Sequence, residues 1–562
     1  GHCWRFPPAW SPDSKKIAFA DKDLKLFVLD VAAKKLIQAD QAKYEEIDSY
    51  AWSPDSRWIA YHKGSLQGFH RVYLYSLDSG KVTPVTSEMN DSYDPVFDPD
   101  GKYLYFISDR DLNASVGAFD FSYVYNNPSR VYALTLRKDL PSPFAPESDE
   151  VKIEEKKEAE KGGKAERKGE EAKGKEEKKE AGPVRIDLDG IEDRVAAFPI
   201  QPGNYGSLRA GKAAVYYLSV PPPTLTGGPN GPANDLHVFD MEKRKDDVLI
   251  PGIGAYDLSG DGSKIAYGTG DRYGIVDAKP GTTAKAGDGA VNTGDLQMKL
   301  DHRAEWKQIF REVWRVERDY FYDPGMHGLD WAAIGRKYEP LIDAAASRVE
   351  VRWVLGEMIG ELATSHTYVY GGDRRRKPET LPVGMLGADF AADPASGRYR
   401  IARILRTPDW KTGALPPLAA PGVDAREGDL LIAVDGREVT TGKEVYAAFE
   451  GLADRPVRLT LASGGGAGAR ETLVVPAADE SRFRYLDWVE RNLATVEKAS
   501  GGKIGYLHLP DTFTGAAEMF PLYWYGQTRK KGLIVDGRYN GGGLDPDPFL
   551  NRIADPIYYY WT

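Results

Sequence analysis

The sequence contains one cysteine, Cys3, among its 562 residues. A lone cysteine excludes a disulfide framework and a cysteine-based metal site. No uninterrupted apolar run is long enough to span a membrane. Acidic residues (84) outnumber basic ones (74), and the net charge of −10 argues against a nucleic-acid or anionic-membrane surface. The eight histidines lack metal-ligand spacing, so we expect neither a metal ion nor another cofactor.

Hydrophobic residues make up 41% of the sequence, which is enough for several domain cores. Its N-terminal half repeats a motif in which a turn, in the clearest copies Pro-Asp-Ser or Pro-Asp-Gly, precedes an alternating apolar run. The copies begin at Trp10, Trp52, Phe97, Leu208 and Leu258, 42 residues apart from the first to the second and 45 from the second to the third. This period predicts five blades of a β-propeller in residues 1–277. Because the copies begin so close to residue 1, we expect the propeller to be partial.

Two segments interrupt this pattern. In residues 147–180, 24 of 34 residues are charged, which predicts a disordered insertion at about residues 145–183 that buries no core. Residues 278–294 are rich in glycine, threonine and alanine and are predicted to be a linker.

Helical spacing replaces the strand pattern after the linker. Apolar residues in 301–322 recur at intervals of three and four, and two further helices are predicted at 331–338 and 349–362. These make a small helical domain of residues 295–375. The third helix leads into Ser365 and His366. Such residues near a helix end serve as caps or surface residues, or, in a suitable site, as catalytic groups.

Residues 382–476 are predicted to form a compact α+β domain. The segment Gly384-Met385-Leu386-Gly387 resembles the carboxylate-binding loop of PDZ domains, and residues 427–439 resemble a strand, an Asp-Gly turn and a second strand of that fold. PDZ domains bind peptides by adding a strand to a sheet edge. The domain either binds peptides in this way or only packs against its neighbours.

Near the C-terminal end, the apolar run 533–535 predicts a buried strand that leads into Gly541-Gly542-Gly543. By themselves these glycines indicate a turn. Their backbone N–H groups are also suited to binding an anion or a developing oxyanion.

The order of these segments resembles the family of tricorn protease and the C-terminal processing peptidases. The resemblance implies a multidomain chain of partial β-propeller, small α-helical domain, PDZ domain and, in residues 477–562, the start of an α/β serine-peptidase domain. It implies that His366 is the general base for a serine nucleophile, that Ser365 orients His366, and that Gly541 to Gly543 line the substrate site with the Gly543 N–H facing the oxyanion. It further implies oligopeptide substrates, a homo-oligomeric ring (possibly a hexamer), and a cytoplasmic location, with the periplasm as the alternative.

One departure from the family pattern concerns the nucleophile. In the family the nucleophilic serine follows the glycine run by several tens of residues, whereas the 19 residues after Gly543 contain no serine. We therefore expect this chain to be a fragment cut at both ends and inactive alone. The alternative function is a non-catalytic scaffold in which propeller and PDZ domain bind peptides.

Overall fold

The computed structural model describes residues 3–117, 123–146, 182–222, 234–372, 380–463, 468–544 and 546–555. Residues 147–180, on which the predicted insertion rests, lie outside the described residues. The chain divides into two compact units, Gly1–Asp373 and Arg374–Thr562, and each is described by itself.

In the described part of the first unit, five four-stranded antiparallel sheets follow one another. The first two contain β1 (Ala9–Trp10), β2 (Lys16–Ala20), β3 (Lys25–Asp30) and β4 (Lys35–Gln41), then β5 (Tyr50–Trp52), β6 (Trp58–Gly64), β7 (His70–Ser76) and β8 (Val82–Pro84). The third contains β9 (Asp91–Phe97), β10 (Tyr103–Asp109), β13 (Ser129–Thr135) and β14 (Val195–Ala197), with a separate hairpin of β11 (Ala114–Val116) and β12 (Tyr123–Tyr125). The last two contain β15 (Tyr205–Gly211), β16 (Ala214–Ser219), β17 (Asn234–Asp240) and β18 (Lys245–Ile253), then β19 (Ala255–Leu258), β20 (Lys264–Thr269), β21 (Arg272–Asp277) and β22 (Ala290–Val291).

The repeated turn joins the first strand of each blade to the second. In the second copy, the Ser53 hydroxyl donates to Asp55 Oδ1 (2.6 Å) and accepts from the N–H of Trp58, the first residue of β6 (2.9 Å). Ser56 takes a left-handed conformation (φ 61°), and its N–H donates to the Ser53 carbonyl. The turn is thus held by its own polar side chains, which is why it can be recognised from a short motif.

The linker predicted for residues 278–294 is shorter in the structure. Residues 290–291 form β22, which pairs with β21 and completes the fifth sheet. The Tyr267 hydroxyl donates to the Asp288 carbonyl and accepts from the Gly287 N–H, so the intervening loop lies against the blade. A two-residue strand has too little pattern to be recognised from sequence, and only its pairing identifies it.

Three helices form the predicted helical domain: α1 (His302–Tyr320), α2 (Trp331–Ala344) and α3 (Arg348–Gly360). Asp301 caps α1 by accepting from the N–H groups of Arg303 and Ala304. The first two helices are joined by a reciprocal pair, because the indole N–H of Trp314 donates to the Trp331 carbonyl and that of Trp331 donates to the Trp314 carbonyl, both at 2.9 Å.

The second unit begins with the PDZ sheet. Its strands are β23 (Ala388–Asp393), β24 (Arg398–Ile404), β25 (Leu430–Val434), β26 (Arg437–Glu438), β27 (Val457–Ala462) and β28 (Arg470–Val474). The predicted Asp-Gly turn joins β25 to β26, with both Asp435 and Gly436 at positive φ. In the order β23-β24-β25-β27-β28, β23 is an edge strand, and a short 3-10 turn at Val445–Phe449 covers the core.

The chain then alternates helices and strands: α4 (Ser481–Ser500), β29 (Ile504–His508), α5 (Thr514–Trp524), β30 (Gly532–Asp536) and α6 (Asp547–Ala554). Strands β29 and β30 pair in parallel, with α5 as the crossover. The strand predicted at 533–535 is present, but the prediction that it is buried is wrong, since Ile534 and Val535 are 45% and 43% exposed. Within the described residues β30 pairs along one edge only, with β29. No helix in the described ranges is both long and apolar enough to cross a membrane.

Candidate functional site

The glycine run follows the C-terminal end of β30, where a buried carboxylate anchors the backbone. The Asp536 side chain, 8% exposed, accepts hydrogen bonds from the Tyr506 hydroxyl (2.7 Å) and from Arg538 Nη2 (2.6 Å), and it also accepts from the Arg538 backbone N–H (3.0 Å). The Arg538 guanidinium, supported by these other donors, holds the pKa of Asp536 well below its usual range against the opposing effect of burial. Asp536 is therefore an ionised anchor at neutral pH.

A buried histidine holds the same segment from the neighbouring strand. His508, 2% exposed, lies 2.7 Å through Nε2 from the Arg538 carbonyl, which only accepts, so Nε2 carries a hydrogen. Its Nδ1 lies 2.9 Å from the Tyr485 hydroxyl on α4. The Trp488 ring packs edge-on to His508 (4.8 Å between centroids), and the Arg538 guanidinium lies 5.2 Å from the Trp488 ring.

The glycines themselves are fixed by their own loop and by residues 509–512. Asn540 donates to the Leu509 carbonyl (3.0 Å) and accepts from the Gly542 N–H (2.7 Å), and the Gly541 N–H donates to the Pro510 carbonyl (2.9 Å). Among the described residues, the Gly543 N–H has no acceptor. The third glycine thus offers an exposed donor in a loop whose other two glycine N–H groups are already bound.

Close approach explains why position 543 is glycine. A Cβ added there would lie 2.4 Å from the Thr512 carbonyl carbon and 2.5 Å from its oxygen, closer than real Cβ contacts come. At Gly541 the nearest atom would be the Pro510 oxygen at 3.8 Å, an ordinary contact. The two positions therefore differ sharply in what they tolerate.

Ser365 and His366 lie in the first unit, in the loop that follows α3. Both are exposed, and His366 has a left-handed backbone (φ 63°). The loop is attached upstream, where His327 Nδ1 donates to the carbonyl of the buried Leu362 (2.9 Å) and Tyr338 donates to Glu361 (2.7 Å). In the described part of the chain neither the Ser365 nor the His366 side chain forms a hydrogen bond, and the His366 ring lies edge-on to Tyr368 at 6.2 Å. The orienting role of Ser365 stays a prediction.

The predicted site residues thus belong to both units. Ser365 and His366 lie in Gly1–Asp373, and the glycine run lies in Arg374–Thr562. Sequence reasoning missed Tyr485, His508 and Thr512, which shape the glycine loop. A histidine inside the strand 504–508 was the available signal, because a buried imidazole needs hydrogen-bond partners.

Most backbone N–H groups of the predicted peptide loop of the PDZ domain already donate to acceptors within the chain. The Gly384 N–H donates to the Phe449 carbonyl (3.0 Å) and the Met385 N–H to the Ala477 carbonyl (2.7 Å). The Gly387 N–H donates to the Glu480 carboxylate (2.8 Å). Leu386 is fully buried and, among the described residues, its N–H has no acceptor.

One group of potential metal ligands lies elsewhere, where Cys3, Asp21 and Asp23 come within 4.8 Å of one another. The Asp21 carboxylate already accepts the N–H groups of Asp23 and Lys25, which makes it the side chain of a turn. Burial and the nearby Asp21 charge raise the pKa of the Cys3 thiol, which disfavours the thiolate that binds metals. The group is therefore explained as local turn structure.

The chain combines a propeller, a three-helix domain, a PDZ domain and a parallel strand pair that ends in a glycine loop. Family descriptions match three of these parts. Residues 3–279 match the description "Tricorn protease second beta propeller domain", 302–360 match "Tricorn protease C1 domain", and 384–479 match "Tricorn protease PDZ domain". The chain belongs to the tricorn protease family.

Individual relatives agree with these matches. "Tricorn protease homolog 1" of Streptomyces coelicolor is 30% identical, and the alignment covers 98% of this chain and 51% of the relative. "Putative Tricorn-like protease C-terminal subunit" of Sulfurisphaera tokodaii is 31% identical, with coverage of 97% and 59%. The crystal structure of the tricorn protease superposes with a TM-score of 0.83 at 23% identity, covering 99% of this chain and 52% of that chain, which confirms the fold. The chain spans about half the length of the curated relatives it matches.

Proposed function

We propose that this chain contributes to a serine-type peptidase that degrades oligopeptides. His366 acts as the general base that takes the proton from a serine hydroxyl and returns it to the leaving amine. Ser365 orients the imidazole. The Gly543 N–H donates to the oxyanion of the tetrahedral intermediate, an interaction worth about 3 kcal/mol in other serine enzymes. The proposal assigns no nucleophile to residues 544–562, which contain no serine.

The observation that carries this proposal is the state of the three glycine N–H groups. The Gly541 N–H donates to the Pro510 carbonyl and the Gly542 N–H donates to Asn540, while Gly543 is an exposed residue whose N–H, among the described residues, has no acceptor. A donor held in place beforehand is what electrostatic stabilisation of an oxyanion requires, because it needs no reorganisation during the reaction. Similarity to proteins named as proteases supports the same assignment.

The test uses the complete product of the gene that encodes these 562 residues, with a panel of fluorogenic peptides. We expect His366→Ala to lower kcat by about 10²–10⁴-fold, the range that general acid–base catalysis contributes. The matched control is His302→Ala, since His302 is an exposed histidine of the same unit with no assigned role. Wild-type kcat in the His366→Ala variant contradicts the proposal.

The chain of 562 residues gives a second arm of this test. We expect no peptide cleavage by it alone, because the proposed general base and oxyanion donor lack a serine nucleophile. Detectable cleavage that His366→Ala abolishes would show that a nucleophile lies within these residues.

The non-catalytic peptide-binding scaffold is the weaker alternative. It needs a PDZ loop with free N–H groups, and three of the four in residues 384–387 are already bound within the chain.

Assembly and location complete the proposal. By family resemblance we propose a homo-oligomeric ring, possibly a hexamer, acting in the cytoplasm, with the periplasm as the alternative. The complete product's mass by light scattering and its distribution on cell fractionation test these two points.

A further inference from the structure

A buried carboxylate from α4's N-terminus lies against the PDZ loop. Glu480 is 4% exposed, and its Oε2 accepts from the Gly387 N–H at 2.8 Å. Its Oε1 accepts from Arg484 Nε, one helical turn further on, at 2.7 Å. A buried carboxylate is tolerated when a cation and a hydrogen-bond donor both satisfy it, as here.

The adjoining sheet edge is occupied by the same helix. A peptide that extends the sheet would use the backbone of β23, the edge strand. The first carbonyl of that strand, Ala388, already accepts from Arg484 Nη2 (3.1 Å) and from the Tyr446 hydroxyl (3.3 Å). The next residue, Asp389, accepts from Arg484 (2.7 Å) and Arg403 (2.9 Å). The start of α4 therefore occupies both the Gly387 N–H, where a peptide carboxylate would bind, and the Ala388 carbonyl, the nearest backbone acceptor of the edge strand.

The two arginines beside Asp389 favour the charged form of that carboxyl. Burial alone raises the pKa of Asp389, but the hydrogen bonds from Arg484 and Arg403 outweigh it and lower that pKa. A neutral side chain at 480 would leave the Arg484 guanidinium with one fewer counter-charge.

Further along α4, three side chains face the strands that lead to the glycine loop. Tyr485 contacts His508, Trp488 lies beside His508 and Arg538, and Asn492 donates to the Tyr506 hydroxyl (3.0 Å). Glu480 thus immediately precedes a helix that contacts the PDZ domain at its start and the parallel strands along its length.

We propose that Glu480 is an intramolecular ligand of the PDZ carboxylate loop, and that a peptide C-terminal carboxylate binds there only after Glu480 has left. In the conformation described, Glu480 and Arg484 attach α4 to the PDZ sheet, and the loop does not bind external peptides. This inference concerns binding, so it stands or falls independently of the proposed peptidase activity.

The test measures peptide binding to the 562-residue chain by fluorescence anisotropy. The probe is a fluorescein-labelled octapeptide pool ending in Val, Leu or Phe, prepared as the free acid and as the C-terminal amide. We expect Glu480→Ala to bind the free acid at least tenfold more tightly than the wild type, because it frees the Gly387 N–H beside that of Leu386. The amide pool should gain nothing, since it lacks the charge that Arg484 recognises.

Two further variants keep the test independent of folding defects. Glu480→Gln retains an oxygen for the Gly387 N–H but loses the charge, and we expect intermediate affinity. Glu471→Ala makes the same chemical and charge change at an exposed position on β28, and we expect wild-type behaviour. Equal free-acid binding by the wild type and both Glu480 variants, whether tight or undetectable, overturns the proposal, as does an equal gain for the amide.

Hydrogen exchange at Gly387 provides a measurement that needs no peptide. We expect the amide to exchange at least tenfold faster in Glu480→Ala than in the wild type or Glu471→Ala, because its acceptor is gone. Unchanged exchange overturns the assignment of Glu480 as the ligand.

Discussion

The two loops assigned to catalysis are both short and exposed, but they differ in how firmly the described residues hold them. The glycine loop is attached through Asp536, His508 and Asn540, each with a defined hydrogen-bond partner. The loop with Ser365 and His366 is held upstream by hydrogen bonds at Leu362 and Glu361, and downstream Val369 packs against the helical core. The glycine loop is thus preorganised by contacts already in place, whereas no side-chain hydrogen bond among the described residues orients the imidazole of His366.

The largest effect on stability is expected when the charge of Asp536, which anchors the glycine loop, is removed. Asp536→Asn keeps the shape but removes the charge that Arg538 and Tyr506 satisfy, and should destabilise the second unit by about 2 kcal/mol. Arg538 is mostly exposed, so we expect less than for a fully buried ion pair. Urea unfolding of the second unit measures the effect. The exposed Asp555→Asn serves as control, and equal stabilities of the two variants would refute the anchoring role.

A pair of glycine substitutions sharpens the same comparison within the loop. Gly543→Ala should cost about 1–3 kcal/mol, because its Cβ would overlap the Thr512 backbone. Gly541→Ala places its Cβ in ordinary contact and should change stability little. Thermal unfolding and hydrogen exchange of residues 510–513 report the difference. A Gly543→Ala variant as stable and as protected as Gly541→Ala would mean that the loop is not packed as described.

Asp536 in the second unit and His70 in the propeller should also respond to pH in opposite directions. Asp536 has a lowered pKa, so its stabilisation is complete above the unfolded value of about 4 and is lost as the pH falls below it through the folded pKa. In the propeller, the hydrogen bond to Asp91, supported by Glu45, raises the pKa of His70. That stabilisation is complete below the unfolded value of about 6.5 and is lost as the pH rises through the folded pKa.

Hydrogen exchange of each unit between pH 3 and 8 measures these two slopes. Asp536→Asn should flatten the acidic slope in the second unit, and His70→Gln should flatten the slope near neutrality in the propeller. The exposed His302→Gln should leave both unchanged. Slopes unaffected by these substitutions would show that other groups cause them.

The smallest effect we expect is on stability when Ser365 or His366 is substituted. His366→Ala and Ser365→Ala should each alter the stability of the first unit by no more than about 0.5 kcal/mol, because both side chains are exposed and form no hydrogen bond among the described residues. Thermal unfolding measures this. A loss above 1 kcal/mol would indicate a structural role.

Much of the fold could be predicted from sequence because its signals are local. The Ser-Pro-Asp turn of the clearest copies is held by its own side chains, so a short motif is enough to recognise it. The helices at 301–322 and after 331 and 349 follow from apolar spacing and caps within a few residues. Prediction was less successful where the signal was not local, as for β22, which is defined by its pairing with β21.

Turns, caps and periodicity act between neighbours in the chain, so they indicate the order of the segments and the residue types of the candidate site. The exposure of Ile534 and Val535 on β30, the contact of His508 with Arg538 and the position of Glu480 at the PDZ loop become visible in the folded chain alone. These contacts join residues 30 to 93 positions apart. No local pattern encodes such pairs. Each partner, seen in the sequence alone, is an ordinary acidic residue, strand residue or loop glycine.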